Sequence, residues 1–216
     1  MQSLKTNKYL TLILFIGLSF SLPALALEGD AERGQVAAAV CTACHQADGS
    51  GMNNPDGESW PRLAGQNAEY IYKQMQDFQK GLRVNATMQP FAGMLDDQQI
   101  KDVALYYSQL PVTSGQGGEQ ADKELLAWGK HLATQGDWDR YIVPCSSCHG
   151  PGNQGAGPDF PGIAGQHAGY LQQTLKDWQT QNRDNDPLHL MAAIAERMND
   201  RDIQAVSAWL ATQPAQ

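Results

Sequence analysis

All four cysteines of the 216-residue sequence fall in two copies of one pattern, Cys41-Thr-Ala-Cys44-His45 and Cys145-Ser-Ser-Cys148-His149. Two thiols at this spacing can add across two vinyl groups of one flat macrocycle and leave two thioethers. A histidine immediately afterwards is then held close enough to reach a metal at the ring centre. C-x-x-C-H is the attachment signature of c-type haem. Two covalently bound haems are therefore expected, anchored by Cys41/Cys44 and Cys145/Cys148, with His45 and His149 on the irons. Other uses of the cysteines fit worse. A zinc site would need its C-x-x-C pairs ~15–20 residues apart, whereas these are offset by 104. Two disulfides would leave the repeated histidine unexplained, and a thioredoxin-like motif needs a βαβ context that is missing.

An iron held by one histidine needs its sixth position explained. An open site binds gases or peroxide, whereas a methionine thioether closes it and raises the reduction potential. A ligand common to both centres should recur at equivalent positions. Met88 and Met191 do so, 43 and 42 residues after His45 and His149. Met94 aligns with Arg197 and Met198 with Leu95, so both read as packing residues. Met52 has no partner, and Met75 pairs with Leu175 as a core equivalence. His131, His167 and His189 lie outside the motifs. His167 aligns with Asn67 and His189 with Ala86, so bis-histidine ligation is not the common design and these read as surface residues. His189, two residues from Met191, is a minor rival for the second iron.

The elements that position these groups come as a tandem repeat. Trp60-Pro-Arg-Leu-Ala-Gly-Gln66 recurs as Phe160-Pro-Gly-Ile-Ala-Gly-Gln166, an offset of 100, and Met88–Ile100 aligns on Met191–Ile203, an offset of 103. Ile71, Met75, Phe78 and Leu82 make a helical stripe that Leu171, Leu175 and Trp178 repeat. Each half then ends in a helix, with Ile100, Val103, Ala104, Tyr107 and Leu110 on one face, and Ile203, Val206, Ser207 and Leu210 on its counterpart. Asp96 and Asn199 suit N-caps, and Gln99 completes a capping box after Asp96. No alternating β pattern appears, so the fold class is all-α. The expected organisation is a leader at 1–26, a first domain at 27–112, a linker at 113–119 rich in Gly, and a second domain at 120–216. The second half carries about nine extra residues between Gly129 and Cys145, including Trp138, which read as a surface loop.

The leader has Lys5 and Lys8, an apolar run from Tyr9 to Leu18, and Ala24-Leu25-Ala26, the organisation of a cleavable signal peptide; an uncleaved anchor is the alternative. Cleavage after Ala26 leaves 190 residues with 13 Lys+Arg against 23 Asp+Glu, a charge of −10 compared with −8 for the full chain. An exported, periplasmic protein follows. With 42% hydrophobic and 18% charged residues the chain is an ordinary globular one. Its acidity and lack of a Lys/Arg block exclude nucleic acid as a partner, and point to docking on basic patches.

These residues together resemble the dihaem cytochrome c4 family: two class I cytochrome c domains in tandem, each with C-x-x-C-H, [F/W]-P-x-[L/I]-A-G-Q and a downstream methionine. The resemblance covers the whole chain after the leader. It implies two domains related by a pseudo-twofold axis, His–Met ligation at both irons, and electron transfer without bond-making chemistry. The implied partners are a donor such as a quinol-oxidising complex and an acceptor such as a terminal oxidase, with peripheral membrane association possible. It further implies that each ligating histidine donates to a backbone carbonyl, at Pro158 in the second half and Glu58 in the first, and that Gly34 packs against Tyr106 and Gly129 against Trp209. Two other classes compete, a dihaem peroxidase or small sulfur-compound dehydrogenase, and a subunit bound permanently to a larger oxidoreductase. The duplicated methionine and the lack of a spare cysteine weigh against the enzyme.

Overall fold

The computed structural model describes residues 27–186 and 188–215; the expected leader lies outside them. The first half contains α1 (Ala31–Ala37), α2 (Thr42–His45), α3 (Ala68–Lys80), α4 (Met88–Gly93) and α5 (Asp97–Gln109). The second contains α6 (Lys123–Thr134), α7 (Ala168–Gln179), α8 (Leu190–Ala195) and α9 (Asp200–Ala211). Among the described residues only isolated β-bridges occur, and no sheet.

Local chemistry sets the helix limits. Asn67 accepts from the Tyr70 N–H to cap α3, and Gly81, in the left-handed region at φ +69°, ends it. That ending takes Leu82 off the expected stripe and leaves it 55% exposed, while Ile71, Met75 and Phe78 are buried. Asp96 and Gln99 form the capping box of α5. Asn199 forms a second one with Asp202, which a search for Glu or Gln at that position does not detect.

Each half has its own apolar core, one around Ile100, Val103 and Tyr107, the other around Ile203, Val206 and Leu210. In each, the first helix packs on the last, α1 on α5 and α6 on α9. The crossings are closed by glycine as expected. A Cβ on Gly34 would lie 2.0 Å from the Asp102 carbonyl oxygen and 2.8 Å from Tyr106 Cβ. A Cβ on Gly129 would lie 2.0 Å from the Ala205 oxygen and 2.8 Å from Trp209 Cβ. Met198 is buried in the second core, but Met94, the C-cap residue of the short helix α4, is 63% exposed rather than packed.

The extra residues of the second half form a braced surface loop. Trp138 is 65% exposed on a single 3-10 turn, and Ile142 is buried in the second core. Arg140 holds Asp137 at 2.7 Å and the buried Asp202 at 2.6 Å. The first half meets the same need differently, with Arg33 of α1 on the buried Asp102 of α5 at 2.8 Å.

The halves join through a polar seam of crossed, equivalent contacts. Gln166 accepts from the Arg62 N–H at 2.9 Å and donates to the Arg62 carbonyl at 3.0 Å. Gln66 does the same to Gly162, at 3.1 and 2.9 Å. Arg83 donates to the Tyr170 hydroxyl at 2.9 Å, and Arg183 to the Tyr70 hydroxyl at 3.2 Å. Because Gln66/Gln166, Arg83/Arg183 and Tyr70/Tyr170 are repeat equivalents, these exchanges define the pseudo-twofold axis directly. The chain between α5 and α6 is fixed against the same seam: Asn53 N–H donates to the Gln116 side chain at 3.0 Å, and Ala168 N–H to the Gln116 carbonyl at 2.9 Å. Among the described residues no helix is long and apolar enough to cross a membrane.

Candidate functional site

One continuous cavity of about 600 Å³ spans both halves, and all eight expected site residues line it: Cys41, Cys44, His45, Met88, Cys145, Cys148, His149 and Met191. In the first half the C-x-x-C-H segment winds into α2; in the second, Cys145–Ser147 forms a 3-10 turn. The four thiols are free and half-buried. Burial pushes the Cys145 thiol up to about 11, so it is held protonated.

Both histidines are buried with one ring nitrogen committed. His45 donates from Nδ1 to the Pro61 carbonyl at 2.9 Å, and His149 from Nδ1 to the Pro161 carbonyl at 2.7 Å. A carbonyl can only accept, so this fixes the tautomer and leaves Nε2 with the lone pair that could ligate a metal. The acceptors are thus Pro61 and Pro161, not Glu58 and Pro158: the chain turns toward the histidines three residues later than expected. Burial lowers both imidazole pKa values, against the opposing pull of the proline carbonyls, and favours the neutral form that a metal requires.

Glu58 has another task. Its carboxylate accepts from Asn85 Nδ2 and Thr87 Oγ1, both at 3.0 Å, while Asn85 Oδ1 accepts from the Met88 N–H at 2.7 Å. This ties down the segment that carries Met88. In the second half Asp186 Oδ2 accepts from the Met191 N–H at 2.6 Å. Both methionine N–H groups are thus taken by an upstream side-chain oxygen, three residues back in the first half and five in the second.

The unpaired histidines part company. His189 is exposed and paired with Asp184 at 2.7 Å, and His131 is stacked on Trp128. His167 is fully buried, contrary to the surface reading. Its Nε2–H donates to the Ser50 carbonyl at 2.8 Å, and its Nδ1 accepts from the Gln116 N–H at 3.1 Å. Where its repeat equivalent Asn67 caps a helix, His167 makes no cap bond and joins the two halves instead.

The cavity also carries cations that sequence reasoning missed. Arg62 and Arg183 are buried and Arg83 is half-buried, and all three line the cavity. Arg83 and Arg183 lie over the Phe78 and Trp178 rings at 4.7 and 4.6 Å. Among the described residues none of the three pairs with a carboxylate. Asp177 acts on Arg83 only at a distance; buried positive charge without an ion-paired carboxylate is costly, and a ligand bearing carboxylates would compensate it. Free thiol pairs, committed imidazoles, two thioethers and unpaired guanidiniums together suit two haems, whose edges carry propionates. The signal was available in the sequence: Arg83/Arg183 and Gln66/Gln166 are polar residues repeated at an offset of 100.

Comparison with known proteins agrees with this chemistry. The Cytochrome c family model matches residues 31–111 and 117–214. The thiosulfate dehydrogenase electron acceptor of Thiomonas intermedia (strain K12) is 43% identical over 177 residues, covering 82% of this chain and 80% of that protein. Cytochrome c4 of Pseudomonas aeruginosa is 37% identical over 207 residues, covering 94% of this chain and 98% of that one. The crystal structure of reduced recombinant cytochrome c4 from Pseudomonas stutzeri superposes with a TM-score of 0.78 at 34% identity, covering 86% of this chain and all of that one. With its two C-x-x-C-H segments, its twofold-related helical halves and these relatives, the chain belongs to the cytochrome c family, as a dihaem electron-transfer protein of the cytochrome c4 type.

Proposed function

We propose that the protein is an exported, periplasmic carrier with His45 and Met88 as axial ligands of one haem and His149 and Met191 of the other. It would take electrons from a respiratory donor such as a quinol-oxidising complex and deliver them to a terminal oxidase or similar acceptor. The observation that carries this reading is the convergence of both His–Met pairs on one cavity, each histidine locked by a proline carbonyl. Bound haem supplies the one-electron couple; the chain's part is to hold the geometry still. The Pro61 and Pro161 bonds fix ring orientation, and the Glu58 and Asp186 contacts fix the methionine segments. Apolar side chains such as Leu63, Phe78, Ile163 and Trp178 exclude water from the lining. Ligands retained in both oxidation states keep reorganisation small.

A second donor is favoured by the 43% identity to a thiosulfate dehydrogenase electron acceptor: a periplasmic dehydrogenase of a reduced sulfur compound. Stopped-flow reduction by each donor class separates the two. For the ligands, the near-infrared methionine-to-iron band of the ferric protein should have the intensity of two haems. Met88→Ala and Met191→Ala should each remove half. A high-spin ferric signal from either wild-type haem, with peroxide turnover, overturns the carrier reading.

A further inference from the structure

The crossed glutamine pairs of the seam are twofold symmetric, but one of the two main-chain partners carries a buried charge. Arg62 stands where the second half has Gly162, and its main chain makes the same crossed pair with a glutamine that Gly162 makes. Its guanidinium has no counterpart. Nη1 donates to the Ala64 carbonyl at 2.6 Å, Nη2 to the Ala164 carbonyl at 3.1 Å, and Nε to the Gly165 carbonyl at 3.1 Å. Ala64 and Ala164 are repeat equivalents, so a group bonded to both lies close to the pseudo-twofold axis. Each of those carbonyls is three residues beyond the proline oxygen that holds a ligating histidine. Burial lowers the Arg62 pKa to about 10, which still leaves it a cation at neutral pH.

We propose that Arg62 is a single counter-charge shared by both haem centres, placed on the axis so that it raises the two reduction potentials together. The inference rests on the haem reading above and extends it to a residue outside both pairs of proposed axial ligands. Reduction removes one positive charge from each centre. A fixed cation therefore favours the ferrous form of both, and inside the protein, away from water and salt, its field is weakly screened. Position on the axis makes the effect even. The difference between the two potentials must then come from features that break the symmetry elsewhere, such as Glu58 under the Met88 segment and Asp186 under Met191.

The test is a spectroelectrochemical titration of the full haem-loaded chain, resolving both potentials, for wild type, Arg62→Gln and Arg62→Lys. Arg62→Gln should lower both potentials by similar amounts, of the order of tenfold in each reduction equilibrium, about 59 mV for one electron. Arg62→Lys should stay near wild type in both. Arg62→Gly, which restores the residue of the second half and leaves room for water at the three carbonyls, should repeat the paired fall if the glutamine variant does not fold. A shift confined to one haem, no shift in either, or an equal shift with lysine overturns the proposal. Loss of the methionine band from the wild-type protein would instead sink the ligand assignment; an intact band with unmoved potentials sinks Arg62 alone.

Discussion

Replacing Gly129 by alanine should be among the most damaging single-methyl changes available to this chain. The added Cβ would lie 2.0 Å from the Ala205 carbonyl oxygen and 2.5 Å from its carbon. A carbon and a carbonyl oxygen approach to about 3.3 Å at closest in helix contacts, so α6 and α9 must part by roughly 1.3 Å. The obstacle is backbone, which cannot swing aside as a side chain could. A gap of that size forfeits a quarter to a half or more of the dispersion attraction across the crossing. The cost should sit at or above the top of the overpacking range, about 3 kcal/mol. At ~2–4 °C per kcal/mol for a protein of this size, the melting temperature should fall by roughly 6–12 °C. Gly34→Ala meets the Asp102 oxygen at the same 2.0 Å and should cost a similar amount. Gly93→Ala is the internal control, because its Cβ meets nothing within 4 Å; relief of glycine's entropy in a helix should leave it neutral or stabilised by ~0.5–1 kcal/mol. Calorimetry of the three haem-loaded variants, with the methionine band recorded alongside, reads all of this. A Gly129→Ala protein that melts like wild type would refute the reasoning that the crossing is sterically closed.

Two further outcomes follow from the clamps and the seam. Arg33, with help from Gln98 and the Asp30 N–H, holds the Asp102 carboxyl down to about 2. Its folded pKa is below its unfolded one, so the stabilisation is full above about pH 4 and is lost as pH falls toward 2. It amounts to at most about 2 kcal/mol, reduced by solvent around the exposed Arg33. Acid melts of Asp102→Asn should therefore be flatter than wild type between pH 4 and 2, and a parallel pair of curves would remove Asp102 from the account. At the seam, Gln166→Ala strips partners from the buried Arg62 main chain and Gln66→Ala from that of Gly162, at about 1–3 kcal/mol per orphaned group. Amide exchange should report this crosswise, with the Arg62 N–H losing protection only in Gln166→Ala and the Gly162 N–H only in Gln66→Ala.

The sequence by itself determined the haem chemistry and the repeat. Covalent attachment demands a fixed local pattern, and duplication leaves an offset that can be counted. Helix faces and caps such as Asp96 with Gln99 were equally legible, because they depend on neighbours within a turn or two. Tertiary structure decided what depends on partners beyond the next few turns, from a dozen to more than 100 residues away. It moved the histidine acceptors to Pro61 and Pro161, since which carbonyl faces a ring depends on the path of the intervening loop. It turned His167 from a surface residue into a buried bridge between the halves, and gave Gln66 and Gln166 their crossed main-chain pairs. It placed Arg62 across Ala64 and Ala164. In sequence Arg62 is one mismatch in a repeated motif; its place beside the axis exists only once the two halves are docked.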